Sequence, residues 1–242
     1  MKIAIASHNR ITLLTKTLNY LKNSFIDMKD VYIFASTHSY DEYLERFDEC
    51  NIIKSKDNIL DARNHIIQYF DEGEKIIEID DDVEALIDFE TNEPVKDLYM
   101  LFHESFELCN GLFGFTSNDN AFFSNKKDKY GLYSIVNSCC GYINDKSIVL
   151  TLREKEDFQR AILFYEKNKK ILKRGRYGIK TKYWKNKGGI QDRYDFATRL
   201  KVQEECCDYL VKNYSHLGYK SVRKNGICDF KFKRLKTIRE ED

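Results

Sequence analysis

Residues 76–82 read Ile76-Ile77-Glu78-Ile79-Asp80-Asp81-Asp82. A run rich in Ile is the pattern of a buried strand, and this one stops on three adjacent carboxylates. Neighbouring negative charges repel, so a fold that keeps three together sets something positive against them. The segments before the run repeat one rhythm. "KIAIAS" reads as a buried strand, and Leu14, Leu18 and Leu21 then recur at helical spacing. "DVYIFAS" and "CNIIKS" read as further strands, and "DARNHIIQYF" places Ala62, Ile66 and Tyr69 on one helical face. Strands alternating with helices at this spacing predict an α/β fold: a mainly parallel central sheet, Rossmann-like, with helices on both faces. Such sheets bind ligands beyond the carboxyl ends of their strands. The polar stretches fall there: "SHNR" after the first strand, "STHS" after the second and "DDD" after the fourth.

The second half is more mixed. "GLFGFTS" and "YSIVNSCCGYIN" read as strands, "EDFQRAILFYEK" as an amphipathic helix, the region around 194–213 as another helix, and "CDFKFKRL" as a closing strand. A basic, glycine-punctuated loop is expected over 167–189. The chain of 242 residues is read as one domain, a ligand-binding half over 1–95 and a mixed, basic half over 96–242. No apolar stretch reaches the roughly 18–20 residues of a membrane span, so no stable membrane association is expected and a cytoplasmic location is. Seven cysteines without a CxxC pair are expected to be reduced thiols.

A net charge of +1 hides an asymmetry. Residues 1–150 carry 15 Lys and Arg against 26 Asp and Glu, and residues 151–242 carry 25 against 13. Residues 167–187 hold ten basic side chains and no acid. A basic half points to a polyanionic partner.

Carboxylate oxygens are hard ligands that suit Mg²⁺ or Mn²⁺, ions that often complete their shell with substrate phosphates. Asp61 is expected to cap the "DARN" helix, and Arg63 lies in its first turn, where a cation is unfavourable to the helix dipole unless a bound phosphate explains it.

A polar "S-x-N-R" after the first strand, an "ARN" helix and an apolar strand ending in an Asp triplet, in that order, resemble the GT-A glycosyltransferases over about residues 1–90. The resemblance implies a nucleotide-sugar donor and a divalent metal, Mn²⁺ or Mg²⁺. It implies that Ser7, His8, Asn9 and Arg10 line the nucleotide pocket and that Arg63 and Asn64 lie near the diphosphate or ribose. It implies Asp82 as metal ligand, with Asp80 a second, and Asp80 and Asp81 near ribose and sugar. The family places an acid pair at the start of a later helix; Glu156 and Asp157 in "KEDFQRA" fit, with Asp157 as the base. His216, in the position of a late histidine ligand, is a third metal candidate.

The stretch from Glu156 to Gln191 resembles, more loosely, phage-type members that glycosylate hydroxymethylated pyrimidines in DNA. The implied acceptor is DNA carrying hydroxymethyluracil or hydroxymethylcytosine, and the implied donor UDP-glucose. Lys173, Arg174, Arg176, Lys180, Lys182 and Lys185 are then phosphate-backbone contacts, and Tyr177, Tyr183 and Trp184 stack on bases. Gly175, Gly178, Gly188 and Gly189 allow a mobile loop. Two other readings stand beside this one: the same chemistry on a glycan, lipid or protein acceptor, and a non-catalytic nucleic-acid-binding protein. A nucleotidyltransferase also remains open, without a GxxxxGK[ST] phosphate loop to support it.

Overall fold

The computed structural model describes residues 1–182, 195–223 and 226–233. The first half alternates as its sequence predicts: β1 (Lys2–Ser7), α1 (Ile11–Asn23), β2 (Val31–Ser36), α2 (Tyr40–Arg46), β3 (Asn51–Ser55), α3 (Ile59–Tyr69) and β4 (Lys75–Ile79). Then follow β5 (Ala85–Asp88), β6 (Glu93–Pro94), α4 (Leu98–Leu108), β7 (Leu112–Thr116), β8 (Lys129–Gly131) and β9 (Cys139–Ile143). The described chain ends with α5 (Glu156–Asn168), β10 (Ile171–Lys180), α6 (Phe196–Tyr214), β11 (Gly218–Val222) and β12 (Cys228–Phe232).

Ten strands form one sheet in the order β3-β2-β1-β4-β9-β7-β10-β5-β6, with β8 added on β10. The β3-β2-β1-β4 quarter is wholly parallel. Beyond β4 the pairing turns antiparallel, apart from β7 with β10. The chain winds outward from β1 to β3 and then returns to β4 on the other side of β1. That reversal opens a crevice at the ends of β1 and β4, the place where open α/β sheets bind ligands.

Alternation along the strands divides the core in two. Ile3, Ile5, Ile33, Ile77 and Ile79 face α1 and α4, with Leu14, Leu18, Leu101 and Phe102. Ala4, Phe34 and Ile76 face the other way, toward Ile66 of α3, Ile162 and Phe164 of α5 and Leu210 of α6. Each fully buried Ile or Phe here stabilises the fold by about 1.5–3 kcal/mol. Glu78 takes a core position on that second face and is 1% exposed. Strands β11 and β12 form a separate hairpin packed on α6.

All seven cysteines are free thiols, six of them buried. Among the described residues no helix is long and apolar enough to cross a membrane.

The expected basic loop differs most. Residues 171–180 are the long strand β10, not a loop. A Cβ on Gly175 would lie 2.0 Å from the Lys127 carbonyl oxygen, and one on Gly178 would lie 2.2 Å from the Phe89 ring, so these glycines permit close packing rather than movement. Arg174 is 4% exposed. It holds Asp128 at 2.9 Å, Glu104 at 3.3 Å and the Ser105 hydroxyl at 2.7 Å. Arg176 is engaged by Asp88 and Glu90, and Tyr177 packs on Phe115 between the two guanidiniums. Arg174 is thus spent on internal carboxylates, whereas Arg176 and Tyr177 are engaged within the fold but only half-buried. Lys173 is half-buried, and burial lowers its pKa. Lys180 and Lys182 are exposed. Tyr183, Trp184, Lys185, Gly188 and Gly189 lie outside the described residues.

Candidate active site

A cleft of about 620 Å³ opens at the ends of β1 and β4 and reaches to the start of α5. Ser7, His8, Arg10, Arg63, Asp80, Asp81, Glu156 and Asp157 all line it. Its floor toward α3 is partly apolar, with Ala6, Phe34, Ile59 and Ala62, and is edged by Lys56, Asp57 and Asn58.

The loop after β1 is built by hydrogen bonds rather than by packing. Asn9 takes a left-handed φ of 53°. Its amide donates to Ser39 Oγ at 3.0 Å, and Ser39 Oγ donates to Asn9 Oδ1 at 2.7 Å. Asn9 therefore shapes the loop and does not line the cleft, because α2's leading serine occupies its side chain. Tyr43 Oη accepts the Arg10 amide at 3.0 Å and lies 2.9 Å from Ser7 Oγ. Ser7 and Arg10 are thereby aimed at the triplet. Ser7 Oγ donates to Asp81 Oδ2 at 2.6 Å. Arg10 Nη1 donates to Asp81 Oδ1 at 3.0 Å and to Asp82 Oδ2 at 3.3 Å. Thr181 Oγ1, just past β10, donates to the other Asp82 oxygen at 3.1 Å.

The triplet is thus not three equivalent acids. Asp81 is 3% exposed, and burial pushes its carboxyl up to about 6 against the pull of Arg10. Asp80 is raised as well, by burial first and by the Asp82 charge among lesser causes. Asp80 and Asp82 stay more open, with 29% and 15% of their side chains exposed.

Asp80 lines the cleft and Asp82 lies beside it, behind Arg10 and Thr181; two such hard carboxylates fit a Mg²⁺- or Mn²⁺-type ion, which takes one or two protein carboxylates and fills its shell with phosphate oxygens and water. Asp82 and Asp80 are the residues that would hold it. A ready-made cluster of three or more metal-type ligands is absent among the described residues. His216 does not supply the third. Its ring lies 3.8 Å from Glu166 Oε1 and is 64% exposed. Glu166 sits about 15 Å further along α5 than Glu156, at 1.5 Å per residue, so packing against α5 places this histidine at the wrong end of the helix.

Arg63 is also not where a phosphate ligand belongs. Its Nη1 donates to Glu78 Oε2 at 2.6 Å and its Nη2 to Asp80 Oδ1 at 2.9 Å, while Nε lies 3.8 Å from Glu156 Oε1. Because α3 starts at Ile59, Arg63 falls in its second turn rather than its first, and three carboxylates rather than a bound phosphate face it. Asn64 pairs with the backbone of Leu150 in both directions, at 2.8 and 2.9 Å, and is structural. Asn58, not Asp61, caps α3, accepting the Asp61 amide at 2.8 Å.

At the far wall, α5 begins on Lys155 with a left-handed φ of 62° and no capping side chain. A non-glycine residue held there costs energy and is a mark of functional sites. Lys155 Nζ donates to Asp229 Oδ1 at 3.3 Å. Asn137 Nδ2 donates to Glu156 Oε1 at 3.4 Å. Asp157 accepts the Phe158 amide at 2.9 Å and has no cation within ion-pair distance among the described residues. Burial first, and then the adjacent Glu156 charge, raise its carboxyl to about 7. A carboxylate poised there is suited to taking a proton near neutral pH. The rest of this wall comes from the C-terminal part. Glu154, 6% exposed, is gripped by Arg199 at 2.9 Å and by Gln203 at 3.2 Å, and Arg223 holds Asp229 at 2.7 Å.

Sequence reasoning missed Glu78, Arg160, Glu154, Arg199 and Asp229. Glu78 carried a signal: it is the one charge inside an apolar strand, on the same face as Ile76. Arg160 stands four before the buried Phe164 and therefore on a core-facing stripe of α5. The residues from α6 and β12 carried none.

Among solved structures, the chain is similar to S. aureus TarS 1–349 in complex with UDP, with TM-score 0.54, 12% identity, and coverage of 87% of this chain and 66% of that one. It is similar to a further S. aureus TarS structure, with TM-score 0.52, 13% identity, and coverage of 87% and 40%. It is also similar to GalNAc-T7 with UDP, GalNAc and Mn²⁺, with TM-score 0.51, 11% identity, and coverage of 88% and 50%. The chain thus spans less than two thirds of each of these structures, down to 40% of the second. The fold is that of the GT-A glycosyltransferases. No family model matches the sequence, and no curated protein does.

Proposed function

We propose that this protein is a glycosyltransferase that moves a sugar from a nucleotide-sugar donor to an acceptor hydroxyl, with inversion at the anomeric carbon. One observation carries the reading. Two groups of carboxylates face one cleft at the switch point of a GT-A sheet, one group neutralised by Arg10 and Arg63, the other ending in an uncompensated Asp157. On this reading Ser7, His8, Arg10 and the triplet form the donor side. A divalent ion held by Asp82 and Asp80 supplies neutralisation of the donor diphosphate. Asp157 accepts the proton of the acceptor hydroxyl as its oxygen bonds to the sugar and the bond to the diphosphate breaks.

The finer part of the proposal is the acceptor: a hydroxymethylated pyrimidine in DNA, with UDP-glucose as donor, in the cytoplasm of a phage-infected host. It is supported by the charge of the second half and by Lys180, the last residue of β10, and Lys182, which are both exposed. The division into a donor half over 1–95 and an acceptor half over 96–242 belongs to the same proposal; it is supported by Asp157 and Glu154 standing opposite the triplet.

The test is sugar transfer from a panel of UDP-sugars with Mn²⁺ to plain, hydroxymethyluracil-containing and hydroxymethylcytosine-containing DNA. UDP release with a one-hexose mass gain on a modified DNA supports donor and acceptor together. UDP release without DNA modification keeps the glycosyltransferase and replaces the acceptor by a glycan, lipid or protein. DNA binding with no donor turnover replaces the enzyme by a nucleic-acid-binding protein.

A further inference from the structure

Beneath the cleft lies a charged core of which Arg63 alone also lines the cleft. Arg63, Glu78 and Arg160 are each 4% exposed or less. Glu78 Oε2 accepts from Arg63, and Oε1 lies 2.9 Å from Arg160 Nη2 and accepts from Tyr142 Oη at 2.5 Å. Burial alone would raise the Glu78 carboxyl, but the two guanidiniums outweigh it and hold it ionised. Arg160 Nη1 also donates to Cys140 Sγ at 3.5 Å. Neither Glu78 nor Arg160 lines the cleft.

Such a buried arginine–carboxylate–arginine group is poor material for stability. Apolar side chains of the same volume often stabilise a core as well or better, since each buried ion costs several kcal/mol of desolvation. What apolar residues cannot do is aim a guanidinium. Arg63 touches three carboxylates on two elements: Glu78 inside β4, Asp80 past its end, and Glu156 at the mouth of α5. Its planar fork has one orientation once one edge is fixed. Glu78 fixes that edge, and Arg160 fixes Glu78. The first turn of α5 lacks a capping side chain; Gln159 ties this end of the helix to Thr151 and Leu152, while Glu156 itself meets Arg63 Nε at 3.8 Å and Asn137 at 3.4 Å.

We infer that Glu78 is a positioning residue: acting through Arg63, it sets the separation between Asp80 on one wall of the cleft and the Glu156–Asp157 pair on the other. Its kinetic consequence rests on the function proposed above; its geometric consequence does not. The two are tested separately.

The geometric arm uses ligand-free protein and the carboxyl carbon resonances of Asp80 and Glu156. Glu78→Gln, almost the same shape without the charge, is expected to move both, and to leave that of Asp88, paired with Arg176 elsewhere, in place. Unmoved Asp80 and Glu156 resonances overturn the inference whatever the enzyme does. Should Glu78→Gln fail to fold, Tyr142→Phe removes one hydrogen bond to Glu78 and no charge; it is expected to give smaller movements of the same two resonances, and none at all overturns the inference.

The kinetic arm uses UDP-glucose hydrolysis with Mn²⁺ and UDP binding. In Glu78→Gln, kcat is expected to fall about 10²-fold, the scale of an ångström's misplacement, while the UDP dissociation constant changes less than about threefold. Arg160→Lys keeps a cation beside Glu78 and is expected to retain far more activity than Arg160→Met. The losses in Glu78→Gln and Glu156→Gln are expected not to add in the double variant, because both act on one device. Equal losses of kcat and UDP affinity, or full additivity, overturn the positioning role. A wild-type protein that turns over no nucleotide sugar refutes the proposed function instead, and the resonances still decide the geometry.

Discussion

The two walls of the cleft treat their carboxylates in opposite ways. On the strand side, Asp80, Asp81 and Asp82 meet Arg63, Arg10, Ser7 and Thr181. On the helix side, among the described residues, the Asp157 carboxylate accepts only the amide of Phe158, and the neighbouring Lys155 donates to Asp229. On the strand side the guanidiniums of Arg63 and Arg10 pull against the burial that raises Asp80 and Asp81. An acid left without a partner gives up its charge first and is the one able to exchange a proton. On the function proposed above, the contrast gives binding to one wall and proton transfer to the other.

The most severe way to break the contrast is to remove the proton acceptor. Asp157→Asn is expected to lower sugar transfer about 10³-fold, within the usual range for losing a general base. UDP affinity, set by the other wall, should stay within about threefold. Transfer rates and calorimetric titration with UDP measure the two. Full transfer in Asp157→Asn would take the base assignment away from this residue. Asp82→Ala tests the other wall: it is expected to abolish the stimulation of turnover by Mn²⁺, and chelation of the metal should then change nothing further.

A smaller effect follows from removing the partner rather than the acid. Arg10→Met leaves the buried Asp81 and the half-buried Asp82 without their shared cation. The expected cost is about 3 kcal/mol, as for other broken buried pairs, read from urea unfolding at pH 7. A loss below about 0.5 kcal/mol would mean that the strand side is solvated and that the contrast between the walls is overdrawn.

The pH dependence of stability sharpens it further. Asp81 and Asp157 both have folded-state values, about 6 and about 7, above those of an exposed carboxyl. A raised value means the folded state binds the proton more tightly than the unfolded one. The contribution is fully present below about pH 4 and is lost as pH rises through about 6 and 7. The melting temperature is therefore expected to fall between pH 5 and pH 8, and Asp157→Asn should flatten the upper part of that fall. A wild-type melting temperature that rises over this interval would show that these carboxyls are not the ones governing it.

How far the sequence reached follows the same division. The parallel quarter was legible because each strand is an apolar run with its own helix behind it, and "SHNR" and "DDD" announced their strand ends. The cleft wall from α5 was legible only as an acid pair opening a helix. Strand β10 was not, because lysine, arginine and glycine read as a solvated loop, whereas the fold buries Arg174 against Asp128 and Glu104 and uses Gly175 and Gly178 for close packing. Charge pairing across distant elements overrode local propensity there, and at Arg63 it took up a side chain expected to face a phosphate.

That lesson changes how the DNA acceptor is tested, and the effect expected is the smallest of all. Alanine at Arg174 would strip a buried ion pair and lower stability, so any loss of DNA affinity in that variant would be ambiguous. Lys180 and Lys182 are exposed, and among the described residues Lys182 pairs with Glu84 at 3.7 Å. Lys180→Ala with Lys182→Ala is expected to change folding stability by less than about 0.5 kcal/mol. If both lysines meet phosphates, the slope of log affinity for duplex DNA against log salt should shrink by about 1.8, at about 0.9 per contact. An unchanged slope, in a variant that melts like the wild type, would remove this edge of the cleft from the acceptor surface and leave the charge of the second half to serve some other partner.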